Sequence, residues 1–188
     1  MITNAKQLKS ILKEEYSLYN MDYKFGSYIN RLKLHLIKDR RYRIWKFQKY
    51  MRKADYFRHT NEGISIINNI LYLFYATKRN SLGEKLGFDF QGYCIEEGLL
   101  LYHANVVINS RSIIGKNVHF HGENVIGNNG IETVCPIIGN NVMLGAGAKI
   151  FGGVTIADDI KIGAGAIVVN SFTEPGITIG GIPAKRIK

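Results

Sequence analysis

The 188-residue chain is poor in the residues that staple or stiffen small folds, with three prolines, two cysteines and one tryptophan. Cys94 and Cys135 show no metal-ligand spacing and cannot form a disulfide framework, so both are read as free thiols of a reducing compartment. A long hydrophobic run is also missing. The longest, Ile70 to Ala76, falls far short of the roughly 20 residues that cross a bilayer. The first residues, MITNAKQLKSILKEE, have no apolar core of the kind a secretion signal needs, and the expected location is the cytoplasm.

Acidic charge is scarce, but only in one half. Residues 1–86 hold 18 Lys and Arg against seven acids, about +11 net, and residues 87–188 hold seven against eight, about −1. Glycine runs the other way, three against 17. Two compositions predict two architectures: a basic helical region over 1–86 and a second unit over 87–188.

The first region reads as helices. Asn4 caps residues 4–19, where Leu8, Ile11, Leu12 and Leu18 form an apolar stripe. A turn is expected around Met21 to Gly26, then one long helix or two short ones over Tyr28 to Lys53, a loop over 54–62, and a helix from Ile64 to Lys78. Ser81 to Gly87 would connect to the second unit. Ten Lys or Arg lie between Arg31 and Lys53, with Asp39 the only acid. Basic charge beside Trp and Tyr fits a solvated helix face, or adhesion to an anionic membrane surface or an acidic substrate. No nucleic-acid motif accompanies it, and basic charge alone does not establish such a partner.

The second region is ordered by a count of six. An aliphatic residue returns at Ile138, Leu144, Ile150, Ile156, Ile162 and Val168, on a phase shared by Ile114, Phe120 and Ile126. Val142, Ala148, Val154, Ile160 and Ala166 follow four places behind the beat. Neither a helix nor a simple alternating strand has this period. A repeated six is the mark of a parallel β-solenoid, each six making a short flat strand and a corner. Leu101 and Val107 keep the spacing one place off the later phase. The stretch 127–136, GNNGIETVCP, is polar and off-pattern, and is expected to be a loop thrown out of a corner. Such a loop commonly carries function. The tail 173–188 breaks the rhythm again and ends in basic residues.

Particular segments resemble a known family. Gly98-Leu-Leu-Leu-Tyr-His103 with Ala-Asn-Val-Val-Ile-Asn109 is similar to the active-site stretch of hexapeptide-repeat acyltransferases, namely serine acetyltransferases and enzymes that O-acetylate capsular and other surface polysaccharides. Gly87-Phe-Asp89-Phe resembles the Gly-Val-Asp-Ile step upstream of it. Ile138 to Gly152 and Gly180-Gly-Ile-Pro-Ala-Lys-Arg186 look like the coenzyme A half. The likeness spans about residues 83–188. It implies a left-handed parallel β-helix behind a small helical domain, mainly β with an α-helical N-terminal region. It also implies acetyl-CoA as co-substrate, no metal, and a homotrimer with a hexamer as the larger alternative.

The chemistry implied is acetyl transfer from a thioester to a hydroxyl, which needs a base for the hydroxyl proton, and imidazole is the usual one. By the resemblance His103 is that base and Asp89 its carboxylate partner, although Asp89 lies one residue nearer than the serine acetyltransferase spacing. Gly127, Ala146 and Ala164 are carried over to the coenzyme, whose phosphates would meet Lys149, Lys185 and Arg186. Tyr102, His121 and Cys135 are the expected acceptor contacts. His119 and His121 flank the inward Phe120, and exposed imidazoles are their plainer reading. Zinc on His103, His119 and His121 is disfavoured by their spacing.

Two departures bear on the acceptor. Serine acetyltransferases place Asp just before the catalytic His, where this chain has Tyr102. They also place His before the proline of the extruded loop, where this chain has Cys135 before Pro136. The expected acceptor is therefore a sugar hydroxyl in surface polysaccharide biosynthesis, and the expected location is the cytoplasm, with its membrane face as the alternative. Serine O-acetylation is the alternative, and a non-catalytic binding or assembly solenoid is the reading from another class.

Overall fold

The computed structural model describes residues 2–19, 28–59 and 66–187. The chain divides into two compact units, Met1–Leu86 and Gly87–Lys188. The turn expected at Met21 to Gly26 lies outside the described residues.

The first unit comprises α1 (Ala5–Leu18), α2 (Tyr28–Leu36), α3 (Arg40–His59) and α4 (Ile66–Leu86). Asn4 caps α1 as expected, its side-chain oxygen accepting from the Gln7 N–H at 2.9 Å. Leu8, Ile11 and Leu12 are buried with Ile2. Of the two readings of Tyr28 to Lys53, one helix or two, the chain takes the second, since α2 ends at Leu36 and Lys38 takes a left-handed φ of 55°. Asp39 then opens α3 by accepting from the Tyr42 N–H at 2.8 Å.

Two expectations fail here. Residues 54–59 are helix, because Ala54 and Asp55 are buried on the inner side of α3 and continue its packing face. α4 runs on to Leu86 rather than ending at Lys78, so Ser81 to Leu86 is not a connector. On α4, Ile66, Ile67, Ile70, Leu73 and Phe74 are exposed, and the buried residues are Arg79, Gly83 and Leu86.

A polar layer lies inside this unit. The Arg52 guanidinium donates to both oxygens of Glu15, at 2.7 Å in the shortest contact, with both side chains almost fully enclosed. The Tyr19 hydroxyl donates to Gln48 at 2.7 Å. Burial raises the Asp55 carboxyl to about 6, outweighing the neighbouring Arg52, Arg79 and Arg58.

The second unit is a three-sided parallel solenoid. Its first sheet holds β1 (Phe88–Asp89), β3 (Val106–Ile108), β6 (Asn124–Gly127), β9 (Lys149–Phe151) and β12 (Ile167–Val168). The second holds β4 (Ile113–Ile114), β7 (Ile137–Ile138) and β10 (Thr155–Ile156). The third holds β2 (Leu100–Leu101), β5 (His119–Phe120), β8 (Met143–Leu144), β11 (Lys161–Ile162), β13 (Thr178–Gly181) and β14 (Ala184–Arg186). From β2 to β12, consecutive strands visit the three faces in turn. The tail folds back as the antiparallel β13–β14 pair.

One coil takes 18 residues where Phe88 pairs with Val106 and Lys149 with Ile167. It takes 24 where Val125 pairs with Lys149. The coil with the 127–136 excursion is thus longer by one six, which is why the hydrophobic phase survives the loop. The aliphatic beat points inward: Ile114, Phe120, Ile126, Ile138, Leu144 and Ile150 are almost fully buried. Close packing of these columns is what stacks the coils. The corners between the second and third faces turn through left-handed Asn117, Asn141 and Asp159, and the Asn117 and Asn141 amides each donate to the next side chain of the ladder.

Candidate active site

The corner between the third and first faces holds His103, the imidazole expected to act as base. It is made by Tyr102 to Asn105 in the first coil, then by His121-Gly122-Glu123, Gly145-Ala146-Gly147 and Gly163-Ala164-Gly165. The last residue of each is left-handed: Asn105, Glu123, Gly147 and Gly165, with φ between 57° and 72°. Backbone bonds register the column, since Glu123, Gly147 and Gly165 donate to the carbonyls of Ala104, Gly122 and Ala146 respectively. Leu101 pairs with Phe120 and Val106 with Asn124. Four residues therefore span a corner that three span in the coils below. Tyr102 matches His121, Ala104 matches Gly122, and the residue without a counterpart is His103.

That extra residue explains the slipped phase around Leu101. The next residue on the inward beat is Ile108, 3% exposed, and Val107 faces out at 40%. The expected inward placing of Val107 is corrected by this one-residue bulge.

His103 is exposed at the bulge. Directly beneath it, Gly122 has φ 103°, and a Cβ there would stand 2.6 Å from the His103 Cβ. Asn124 ties this turn down. Fully buried, it accepts from the Gly122 N–H at 2.9 Å and donates to the carbonyls of Gly145 and Ala148 at 2.8 and 3.1 Å. Neither Gly122 nor Asn124 was singled out from the sequence. The available signal was an Asn in an inward column otherwise filled by Val106, Ala148 and Ala166.

Tyr102 lies over His121, ring centroids 4.4 Å apart and planes tilted 26°, with His119 edge-on at 6.1 Å. Both imidazoles are half-buried rather than exposed, because these rings shield one another. Burial and then the neighbouring His121 lower the pKa of His119, and among the described residues the enclosed His121 Nε2 has no hydrogen-bond partner. Among the described residues, no group of three His, Cys, Asp or Glu side chains is arranged to hold a metal ion.

The structure puts Ala146 and Ala164 in the column below His103, both exposed. Their N–H groups donate to no backbone acceptor among the described residues. Gly127 is not in this column. It ends β6 at the opposite edge of the first face, paired with Phe151. There it lines an open groove of about 440 Å³ with Asp89, Val107, Val125, Asn128 and Phe151. Asp89 is exposed on β1, one coil before β3, and no hydrogen bond joins it to His103. Lys149 faces outward on the same face, beside Val125.

Lys185 is exposed on β14, and Arg186 is engaged with Glu174 at 2.6 Å. Cys135 is buried in the excursion, its thiol 3.8 Å from the Thr133 carbonyl. Of the sequence-expected residues, Tyr102, His103, His121, Ala146 and Ala164 thus share the corner column, Asp89 and Gly127 share the groove on the adjoining face, and Cys135, Lys149, Lys185 and Arg186 line neither.

No protein-family model matches the chain. Among curated proteins it is 40% identical over 98 residues to a serine acetyltransferase of Buchnera aphidicola, covering 50% of this chain and 37% of that protein. It is 36% identical over 76 residues to the putative colanic acid biosynthesis acetyltransferase WcaB of Escherichia coli, covering 40% and 47%. The chain therefore spans half or less of the length of these two relatives. Its fold matches the crystal structure of a serine acetyltransferase in complex with coenzyme A from Brucella abortus. The TM-score there is 0.65 and the identity 19%, over 97% of this chain and 68% of the other. The chain thus has the left-handed β-helix fold behind a helical region and resembles, in sequence, the serine acetyltransferases of the hexapeptide-repeat acyltransferase superfamily.

Proposed function

We propose that the protein is an acetyl-CoA-dependent O-acetyltransferase, that its acceptor is a sugar hydroxyl, and that His103 is the general base. The observation that carries this reading is the bulged corner. It sets an exposed imidazole, firmly seated on Gly122, above a column of small residues. Ala146 and Ala164 would let the pantetheine chain of the coenzyme lie against backbone N–H groups, and Lys149 and Lys185 would approach its phosphates. Arg186, held by Glu174, would have to exchange partners to join them.

His103 removes the proton of the acceptor hydroxyl as that oxygen attacks the thioester carbonyl carbon. The C–S bond breaks, and the same proton passes from the imidazolium to the departing thiolate. A backbone N–H at the corner would hold the intermediate oxyanion. Asp89, on the adjoining face, is the carboxylate proposed to steady the imidazolium, and Gly127 borders the groove beside it. A cleft closed between solenoids of a homotrimer, a ring of heterologous contacts, would shield this reaction from water.

The sugar reading rests on Tyr102. A 40% exposed ring backed by His121 offers a flat apolar surface to the C–H face of a sugar, next to the base. The likeness to the colanic acid enzyme points the same way. Serine is the second reading, favoured by the names of most of the curated relatives. The test is thiol release from acetyl-CoA with L-serine in one series and nucleotide sugars and oligosaccharides in the other, each beside His103→Ala. Sugar-dependent release lost in the variant supports the proposal. Serine-dependent release lost in the variant replaces it with the second reading, and no release with any acceptor leaves a binding solenoid.

A further inference from the structure

The helical unit carries a surface that its own packing does not use. Of the described α2 side chains, Leu34 is buried, while Tyr28, Ile29, Leu32 and Leu36 are 46–77% exposed. At 100° per residue these four fall within about 100° of arc, on the side of the helix away from Leu34. α4 repeats the arrangement with Ile66, Ile67, Ile70, Leu73 and Phe74.

Two lysines join the stripes. Lys46 of α3 lines a shallow hollow of about 260 Å³ with Tyr28, Leu32, His35 and Tyr42. Lys78 of α4 is near enough to act on it: burial first, and then that like charge, lower the Lys46 pKa. Lys78 itself stands over the Phe74 ring at 5.7 Å. Among the described residues neither lysine has an acidic partner. The apolar stripe of α2, the two ammonium groups and Phe74 of α4 therefore adjoin.

Charge decides what covers this face. A second copy would bring another unit of about +11 against the first and leave Lys46 and Lys78 more strongly opposed. An anionic bilayer supplies both missing partners, phosphates for the lysines and the headgroup–acyl boundary for the stripe. No helix among the described residues is long and apolar enough to cross a membrane, and each stripe is one helix face wide, as in segments that lie in the interface. Trp45, which the sequence offered as an anchor, is buried against Tyr16 and takes no part. We propose that the α2 stripe, Lys46, Lys78 and Phe74 form a docking surface for an anionic lipid membrane. This does not depend on the acetyl-transfer reading.

The test is sedimentation of the full chain with phosphatidylcholine vesicles, with and without phosphatidylglycerol, at low and high salt. Binding is expected only with the anionic lipid and is lost at high salt. Lys46→Gln with Lys78→Gln should weaken it about thirtyfold, from the usual contribution of a lysine near such a surface. Leu32→Ser with Leu36→Ser should weaken it at least about tenfold. Lys6→Gln with Lys9→Gln, exposed on α1, removes the same charge elsewhere and should change it little. Thermal melts of each variant separate loss of binding from loss of fold. Equal binding to neutral vesicles, no binding, or indifference to the α2 and lysine substitutions overturns the proposal. So does a drop in oligomer size in Leu32→Ser with Leu36→Ser without vesicle binding by the parent, which assigns the face to a second copy. Binding to a nucleic acid but not to vesicles overturns it as well.

Discussion

His103 owes its position to a count. One residue more than the coil requires must leave the corner, and the side chain that leaves is the imidazole. Removing it in His103→Ala should lower kcat for acetyl transfer by about 10²–10⁴-fold, the usual range for a general base, with the KM for acetyl-CoA little changed. Asp89→Asn should cost less, because no hydrogen bond joins the two groups in the single chain. The pH profile of kcat/KM in both variants tests the pairing. Gly122→Ala is a sharper probe of geometry. Its φ of 103° is strained for alanine, and the new Cβ would meet the His103 Cβ. About 1–2 kcal/mol of stability should be lost, and activity should fall although no catalytic group has been removed. A variant that keeps full activity would show that His103 does not depend on this seat. The histidine was legible in the sequence by resemblance. Its bulge was legible only as a one-place slip of phase, and Gly122 and Asn124 were not, because their role is a contact made one coil away.

At the scale of elements, the solenoid and the helices are held by different physics. Each coil closes on its neighbours through aliphatic columns, so Ile150→Ala, at a site with no exposure, should cost about 2–5 kcal/mol in a denaturation experiment. The helical unit instead encloses charge. Breaking the Glu15–Arg52 pair with Arg52→Ala leaves a carboxylate without its partner and should cost about 3–5 kcal/mol. Asp55 gives this unit a pH dependence of defined sign. Its folded pKa of about 6 lies above the ordinary 3.8. The unfolded chain therefore releases a proton that the folded chain still holds, and stability falls as pH rises from about 4 to about 6. The loss, up to about 3 kcal/mol, persists above that window. Asp55→Asn should flatten the dependence and raise the melting temperature at neutral pH, and an unchanged pH profile would rule out this carboxyl as its source. The apolar residues of α4 show what a sequence pattern leaves open. Periodicity finds a face but does not say what the face meets, and here Ile66, Ile67, Ile70, Leu73 and Phe74 meet solvent.

For the whole molecule, the proposed reaction requires a cleft that one solenoid does not close. Sedimentation equilibrium of the purified chain is expected to give a trimer, and a monomer at the concentrations of the assay would contradict the shared site. Sequence alone determined the change of composition near residue 86, the six-residue coil and its inward columns from Ile114 onward. These depend on local chain geometry, where period and glycine placement translate directly into strands and turns. Tertiary structure decided which residue bulges and which imidazoles shield each other. It also parted Gly127 from the column of Ala146 and Ala164, and left one basic helical surface unused. Those outcomes depend on register between coils and on packing between helices, on contacts between residues distant in the chain that no local pattern records.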